Sequence, residues 1–275
     1  TGQAGAALGS GIILAFPAHM NRILELDTKS NSVTVEVGIN YGKLQQTLYT
    51  HGRFVPPAPS SLEYSTVGGA IADNSSGEKS VKYGDTNNFI DALRVVLANG
   101  EIIDTGRLSK RELSKKMGLS TYEGEIYRSL DALIEENHDL IDSIPRTVYK
   151  NSAGYNISDV KTKEGFDLTP LFVGSQGTLG LITEAVIGTE PYNPEPTLIM
   201  AKFDSLEQIQ SAVLEFRKQD DGPSAIELID GNVLTQVNDL NPNLIKDIIK
   251  APLPKGVLII EYNDQSKKLK KATKK

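Results

Sequence analysis

Cysteine is absent from the 275-residue sequence. This absence excludes disulfides, thiolate nucleophiles, iron–sulfur clusters and thiolate-bound zinc, and it fits a reducing compartment. Long apolar runs are also missing: stretches such as Ile12–Phe16 and Val257–Ile260 fall far short of the about 20 residues that a membrane-spanning helix needs. The sequence therefore predicts a cytoplasmic protein with no transmembrane segment.

An excess of positive charge is lacking as well. The formal net charge is −6, which argues against a general nucleic-acid binder. The lysines between Lys267 and Lys275 are a local exception. We interpret them as a solvated helix face or tail, with a peripheral contact to an anionic lipid surface as the alternative.

The common catalytic and nucleotide-binding motifs are not found. No G-x-G-x-x-G follows a predicted strand, and the sequence has no P-loop, nucleophile elbow or metalloprotease helix. The three histidines, His19, His51 and His138, are far apart and lack the spacing of metal ligands. We therefore predict no metal site.

Hydrophobic periodicity predicts the elements of the first two thirds of the chain. They are, in order, a buried strand (12–16), a hairpin (22–37), a helix capped by Asn40 (40–52), a second hairpin (93–104), a long helix (123–143) and a strand (179–187). Asn99-Gly100 in the second hairpin favours a type I′ turn.

Three prolines between Glu190 and Pro196 mark the best domain boundary. Beyond it, predicted strands at 197–203, 225–229 and 256–262 alternate with predicted helices at 205–218 and 232–237. Alternation of this kind favours a small α/β layer.

The densest chemical signal is a stretch rich in Gly, Ser and Asn. It contains Pro56–Ser61, Ser65–Gly77 and Lys82–Gly84. Paired glycines let a ligand approach the main chain, and successive backbone amides in turns form a nest for a pyrophosphate. Short hydroxyl and amide side chains can add hydrogen bonds to ribityl hydroxyls. The alternative is an ordinary turn-rich loop between strands.

Four further segments accompany this stretch in a fixed order: Gly2–Ala4, Met20–Asp27, Lys150–Asn156 and Gly174–Thr183. Together the five segments resemble the PCMH-type (vanillyl-alcohol-oxidase-like) FAD-binding oxidoreductases, in the D-lactate dehydrogenase/glycolate oxidase subunit branch. The resemblance implies an α+β fold. Residues 1–192 would form a partial FAD-binding domain, and residues 193–275 would begin an α/β ferredoxin-like cap domain.

The resemblance also implies site residues. The positions that match FAD contacts are Pro57, Ser60, Ser61, Thr66, Gly68, Gly69, Ala72, Asn74, Gly77 and Ile182. Core packing is the alternative for Ala72 and Ile182. Lys150, Tyr155 and Asn156 are the only candidates for catalytic groups near the flavin, and a structural loop role is their alternative.

The chain departs from the family pattern in three places. The match begins at Gly2–Ala4, which resembles the end of the family's first glycine-rich flavin loop. The sequence also lacks the His-rich cap segment that binds metal and substrate in the family. We therefore expect a chain missing the N-terminal lobe and truncated at both ends. Ser76 also replaces the first glycine of an Asn-Ala-Gly-Gly segment, which requires a negative φ at Ser76 or some strain.

The function implied is oxidation of a 2-hydroxy acid of the D-lactate or glycolate type, with hydride transfer to flavin N5. One alternative is a non-catalytic FAD-binding subunit, or an inactive fragment, of such an oxidase complex. Another is a non-redox relative of the alkyl-glycerone-phosphate synthase type. The expected partners are a small 2-hydroxy acid and an electron-acceptor subunit, and exposed apolar faces would favour oligomers.

Overall fold

The computed structural model describes residues 10–144, 150–249 and 252–263. The chain divides into two compact units. The first comprises Thr1–Gly77 and Gly84–Pro191, and the second comprises Glu78–Tyr83 and Tyr192–Lys275. The assignment of 1–192 to an FAD-binding domain and of 193–275 to the start of a cap domain stays a prediction.

Helices and strands are interspersed along the described residues, so the fold is of mixed α and β type. The helices are α1 (Phe16–His19), α2 (Tyr41–Thr50), α3 (Val67–Asp73), α4 (Ser80–Tyr83), α5 (Lys110–Met117), α6 (Tyr122–Glu136), α7 (His138–Asp142), α8 (Thr169–Phe172), α9 (Leu206–Arg217) and α10 (Gly231–Leu240). Short 3₁₀ turns lie at Thr86–Phe89, Ile157–Asp159 and Pro242–Leu244.

The strands are β1 (Ile23–Asp27), β2 (Ser32–Glu36), β3 (Arg53–Phe54), β4 (Ile90–Val96), β5 (Ile102–Asp104), β6 (Lys161–Thr162), β7 (Gly165–Phe166), β8 (Leu181–Gly188), β9 (Glu190–Pro191), β10 (Thr197–Phe203), β11 (Ala225–Asp230) and β12 (Gly256–Tyr262).

The first unit is built on a five-stranded antiparallel sheet with the order β1-β2-β8-β4-β5. Because side chains alternate across a strand, Val33 and Val35 of β2 face the core together with Leu93 and Val95 of β4. The hairpin predicted for residues 22–37 is confirmed, with Leu26 opposite Val33.

Helix α2 is confirmed where the sequence predicts it. Asn40 caps it, since its Oδ1 accepts the Lys43 N–H at 2.9 Å. Leu44 and Leu48, four residues apart, are fully buried on one face. Gly52, with φ +67°, follows the end of the helix.

Two predicted details of the first unit were wrong. Residues 12–15 form no strand; Pro17 lies in the first turn of α1, and Ile12 is 93% exposed. The Asn99-Gly100 hairpin exists, but its turn is not type I′, because only Gly100 (φ +86°) is left-handed. A three-residue loop ending in a left-handed glycine also suits a hairpin, and Leu97 pairs with Glu101 across it.

The long helix predicted for residues 123–143 is two helices, α6 and α7, that meet at Asn137. The apolar residues of α6 are only partly buried, because Ile134 faces the core while Leu133 is 44% exposed. The most deeply buried side chain of α6 is instead Tyr127, whose ring packs 5.7 Å from that of Phe166.

The second unit is a three-stranded antiparallel sheet with the order β10-β12-β11. All three predicted strands and both helices are present. On one face Ile209 of α9 packs against Leu258 and Ile260, and on the other Leu234 of α10 packs with Val257. Among the residues that the structure describes, no helix combines the length and hydropathy needed to cross a membrane.

Candidate functional site

Gly68 and Gly69, which we call the glycine pair, lie in the first turn of helix α3. Thr66 caps this helix, since its Oγ1 accepts the Gly69 N–H at 3.1 Å. The sequence analysis expected turns here, and that was wrong. A regular helix begins at the Thr66 cap, and its first main-chain hydrogen bond runs from the Ala70 N–H to the Thr66 carbonyl. Helix α3 ends at Asn74, which is left-handed with φ +48°.

A cavity of about 270 Å³ lies beside α3, and we call it the apolar cavity. Five of the ten predicted FAD contacts line it: Thr66, Gly68, Gly69, Ala72 and Ile182. The rest of its lining is formed by Leu14, Phe16, Pro17, Val37, Gly177, Gly180 and Leu181. The structure therefore brings the glycine pair and the segment Gly174–Thr183, which we call the closing motif, to one place.

A second cavity has a volume of about 200 Å³, and we call it the polar cavity. Gly69 lines both cavities. It brings in two more predicted contacts, Ser60 and Ser61. Its other lining residues are Pro59, Ser65, Ala70, Asp73, Ser75, Ser76 and Lys150. Seven of the ten predicted contacts thus lie along one or the other of two cavities that share Gly69.

Hydrogen bonds fix the walls of the polar cavity. Ser65 Oγ donates to the Ser61 carbonyl at 2.9 Å and lies 2.9 Å from Ser61 Oγ. Asp73 accepts from Ser75 Oγ at 3.1 Å and from Gln176 Nε2 at 3.2 Å. The last bond ties the end of α3 to the turn of the closing motif, where Gln176 (φ +55°) is left-handed.

Asn74 lines neither the apolar nor the polar cavity and instead lines a third, of about 250 Å³. Its Nδ2 donates to Asp85 Oδ2 at 2.9 Å, and its Oδ1 accepts the Asn87 N–H at 2.9 Å. Burial raises the pKa of Asp85, and the hydrogen bond from Asn74 opposes this shift in part. The structure therefore gives Asn74 a local structural role beside the predicted one.

The three candidate catalytic residues are not brought together. Tyr155 and Asn156 line the third cavity, and both are engaged: Tyr155 Oη lies 2.9 Å from Thr178 Oγ1, and Asn156 Nδ2 donates to Asp159 at 2.8 Å. These bonds favour the structural alternative for both residues. Lys150 alone lies in the polar cavity.

The two remaining predicted contacts have packing reasons. Pro57 is buried and lines neither the apolar nor the polar cavity. A Cβ at Gly77 would lie 1.8 Å from the Ala58 carbonyl oxygen, so glycine is needed there for the Pro56–Pro59 main chain to pass. Ser76 is not among the residues with positive φ, so it fits its turn without strain.

Sequence reasoning missed Gly177, Gly180 and Asp73. The first two stand in the closing motif, from which only Ile182 was predicted as a contact. Gly177 has φ +76°, and no heavy atom lies within 4 Å of where its Cβ would be, so it leaves the apolar cavity open. Asp73 gave no signal of its own in the sequence.

The two cavities match the chemistry of FAD. Small and apolar side chains around the first suit the flat faces of aromatic rings, while serine hydroxyls and Lys150 around the second suit hydroxyls and anionic oxygens. Within the described part of the chain, no group of three or more His, Cys, Asp or Glu residues could hold a metal ion.

Comparison with known proteins agrees with this chemistry. Residues 1–106 match the family model described as FAD binding domain. A solved structure of alkyldihydroxyacetonephosphate synthase shares the fold, with a TM-score of 0.58 at 20% identity over 89% of this chain and 39% of that one.

Two curated relatives are similar along almost the whole chain. D-2-hydroxyglutarate dehydrogenase of Pantoea ananatis is 31% identical over 270 residues, 95% of this chain and 26% of the relative. Glycolate oxidase subunit GlcD of Bacillus subtilis is 30% identical over 256 residues, 92% of this chain and 42% of the relative. The chain thus spans between about a quarter and two fifths of these relatives' length.

The matched region and the fold point to one class: residues 1–106 match an FAD binding domain, and the fold is shared with alkyldihydroxyacetonephosphate synthase, in line with the mixed α and β fold that the sequence predicted. Within that class it resembles the FAD-linked dehydrogenases and oxidases of 2-hydroxy acids, and its cofactor is FAD.

Proposed function

We propose that this chain is the flavin-binding part of an oxidoreductase that oxidises a 2-hydroxy acid of the D-lactate or glycolate type. The observation that carries the proposal is the convergence of seven predicted FAD contacts on the paired cavities at Gly69. The relatives named as D-2-hydroxyglutarate dehydrogenase and glycolate oxidase subunit support the substrate class.

The proposed reaction removes two electrons and two hydrogens from the substrate alcohol. Bound FAD would supply the two-electron acceptor, and its N5 would be the position that receives the Cα hydrogen as hydride. The hydroxyl proton must pass to a base, and the substrate carboxylate needs a cation or hydrogen-bond donors. The contribution of the described residues is to hold the cofactor: α3, Gly177 and Ile182 shape one cavity, and the serines of Pro59–Ser61 and Ser75–Ser76 line the other.

The proposal is tested by loading the chain with FAD and mixing it anaerobically with D-lactate, glycolate or D-2-hydroxyglutarate. We expect the oxidised-flavin absorbance to bleach with a 2-hydroxy acid and to stay unchanged with the matched acid that lacks the hydroxyl, such as propionate. Tight FAD binding without bleaching by any of these acids would contradict catalysis by this chain.

That contrary result would support the second candidate, a non-catalytic FAD-binding subunit. One observation favours it: a relative of similar sequence is named as a subunit of glycolate oxidase. In such an assembly another subunit would complete the substrate site or accept the electrons. Bleaching that appears only when partner proteins are added would identify this arrangement.

A further inference from the structure

Lys150 is the only cationic side chain among the residues that line the polar cavity. It forms no hydrogen bond or ion pair with any residue that the structure describes. The hydroxyls of Ser60 and Ser76 line the same cavity and have no hydrogen-bond partner among the described residues either. Three side chains that can donate hydrogen bonds thus line one small cavity without a partner among the described residues; Lys150 and Ser60 are exposed, and Ser76 is half-buried.

The other polar groups of the polar cavity are already engaged. Ser61, Ser65 and Ser75 donate or accept within its walls. Asp73, its one carboxylate, accepts from Ser75 and from Gln176. The groups that remain, the hydroxyls of Ser60 and Ser76 and the ammonium of Lys150, can all donate hydrogen bonds to a ligand, and the exposed Lys150 side chain also supplies a positive charge.

We propose that Lys150, Ser60 and Ser76 form an anion site that binds carboxylate or phosphate oxygens next to the glycine pair. Ammonium and hydroxyl donors in one cavity are the groups that hold such oxygens by charge-assisted hydrogen bonds. Ser76 is part of the site because it lines the polar cavity together with Ser60 and Lys150 and its hydroxyl has no partner among the described residues.

This inference rests on the proposed function, which places a flavin and a hydroxy acid at these cavities. Two sources supply the anionic oxygens: the carboxylate of the substrate and the diphosphate of FAD. Because the carboxylate and the diphosphate would bind the same donor groups, the experiment uses a different probe for each. Oxalate probes the carboxylate in the FAD-loaded protein, whereas FAD and riboflavin, which lacks the diphosphate, probe the protein without cofactor.

The test compares Lys150→Gln with wild type, Lys150→Arg and the control Lys163→Gln, whose lysine is exposed and outside the polar cavity. We expect Lys150→Gln to weaken the binding of one probe by about tenfold, equivalent to about 1.4 kcal/mol. Lys150→Arg should largely restore it, since the positive charge returns, and Lys163→Gln should leave it unchanged.

Lys150→Gln makes the charge of the polar cavity less positive, and a second variant makes it more positive. Asp73→Asn removes the one negative charge of the polar cavity and keeps a side-chain oxygen as an acceptor. We expect this variant to tighten oxalate binding by roughly threefold, because the repulsion of an anion by the carboxylate is removed. A purely structural role for either residue would not give opposite shifts in the two variants.

The outcomes separate the inference from the proposed function. Weaker oxalate binding with unchanged FAD binding identifies the carboxylate, and weaker FAD binding with unchanged riboflavin binding identifies the diphosphate. Equal affinities of wild type and Lys150→Gln for all three probes overturn the inference alone. Failure of the wild type to bind either flavin overturns the proposed function and this site with it.

Discussion

Gly77 is the residue whose replacement is most directly forbidden by the backbone. A Cβ there would meet a main-chain oxygen, that of Ala58, which cannot rotate away as a side chain would. We therefore expect Gly77→Ala to lower the free energy of unfolding by about 1–3 kcal/mol, as overpacked sites do. Gly11→Ala, at an exposed position with open space around the Cβ, is the matched control for urea denaturation. Equal stability of the two variants would contradict the close approach.

Asp85 gives a prediction with a definite pH dependence. Its pKa is raised above the ordinary value of 3.8 by burial, so the folded chain holds this proton to a higher pH than the unfolded chain. This group therefore favours folding at low pH, and its contribution is lost as the pH rises from 3.8 through the raised pKa.

Asp85→Asn removes this titration and keeps an oxygen that can accept from Asn74. We expect the stability of the variant relative to wild type to become more favourable between about pH 4 and pH 7, measured by urea denaturation at each pH. The same substitution at an exposed position, Asp220→Asn, is measured beside it as the control. A relative stability of Asp85→Asn that falls with rising pH would contradict the raised pKa.

Both the oxygen and the nitrogen of the Asn40 side-chain amide form hydrogen bonds that stabilise helix α2. The Oδ1 caps the helix at Lys43, and the Nδ2 donates to the Glu63 carbonyl at 2.7 Å, which attaches the helix to the segment before α3. We expect Asn40→Ala to cost about 1–2 kcal/mol by thermal unfolding. Asn40→Asp keeps the cap and loses the donor, so its loss should be intermediate. An aspartate variant less stable than the alanine variant would contradict this division.

Elements with strong local signals could be predicted from the sequence, and elements decided by long-range contact could not. The β1–β2 hairpin, helix α2 and the whole strand and helix order after Pro196 followed from alternation, caps and proline. Helix α3 was missed because two glycines and small residues give little helical preference. It forms because Thr66 caps it and because Gly68 lies against Val37, where a Cβ would come within 3.0 Å.

The candidate site was predictable in part for the same reason. The resemblance gave the positions around Gly69, because each lies in a short motif of fixed order. It could not separate Pro57 and Gly77, which are explained by packing, from residues that line a cavity. It also could not show that Asn74, Tyr155 and Asn156 lie on a third cavity, since that depends on how the loop at 151–156 folds back.

At the scale of the whole molecule, the segment Glu78–Tyr83 belongs to the second unit although it lies within the sequence of the first. Lys79 forms an ion pair with Glu261 of β12, and both side chains are largely buried. We expect Lys79→Ala to speed amide hydrogen exchange in β11 and β12, because the half-buried Glu261 carboxylate loses its cation and keeps the weaker hydrogen bond from Ser224 Oγ. Exchange in β2 and β8 should not change, and the exposed Lys110→Ala is the control. Faster exchange in β2 and β8 alone would contradict the division into units.

The most direct test of the central claim is a fluorescence titration of the purified chain with FAD, in parallel with two variants. Ala72→Leu fills the apolar cavity, whereas Ala132→Leu places the same side chain on the exposed face of α6. The account predicts saturable binding of one FAD per chain to wild type and to Ala132→Leu, and binding weakened at least about tenfold in Ala72→Leu. Binding to Ala72→Leu with the affinity of wild type, or no binding to wild type, would contradict it.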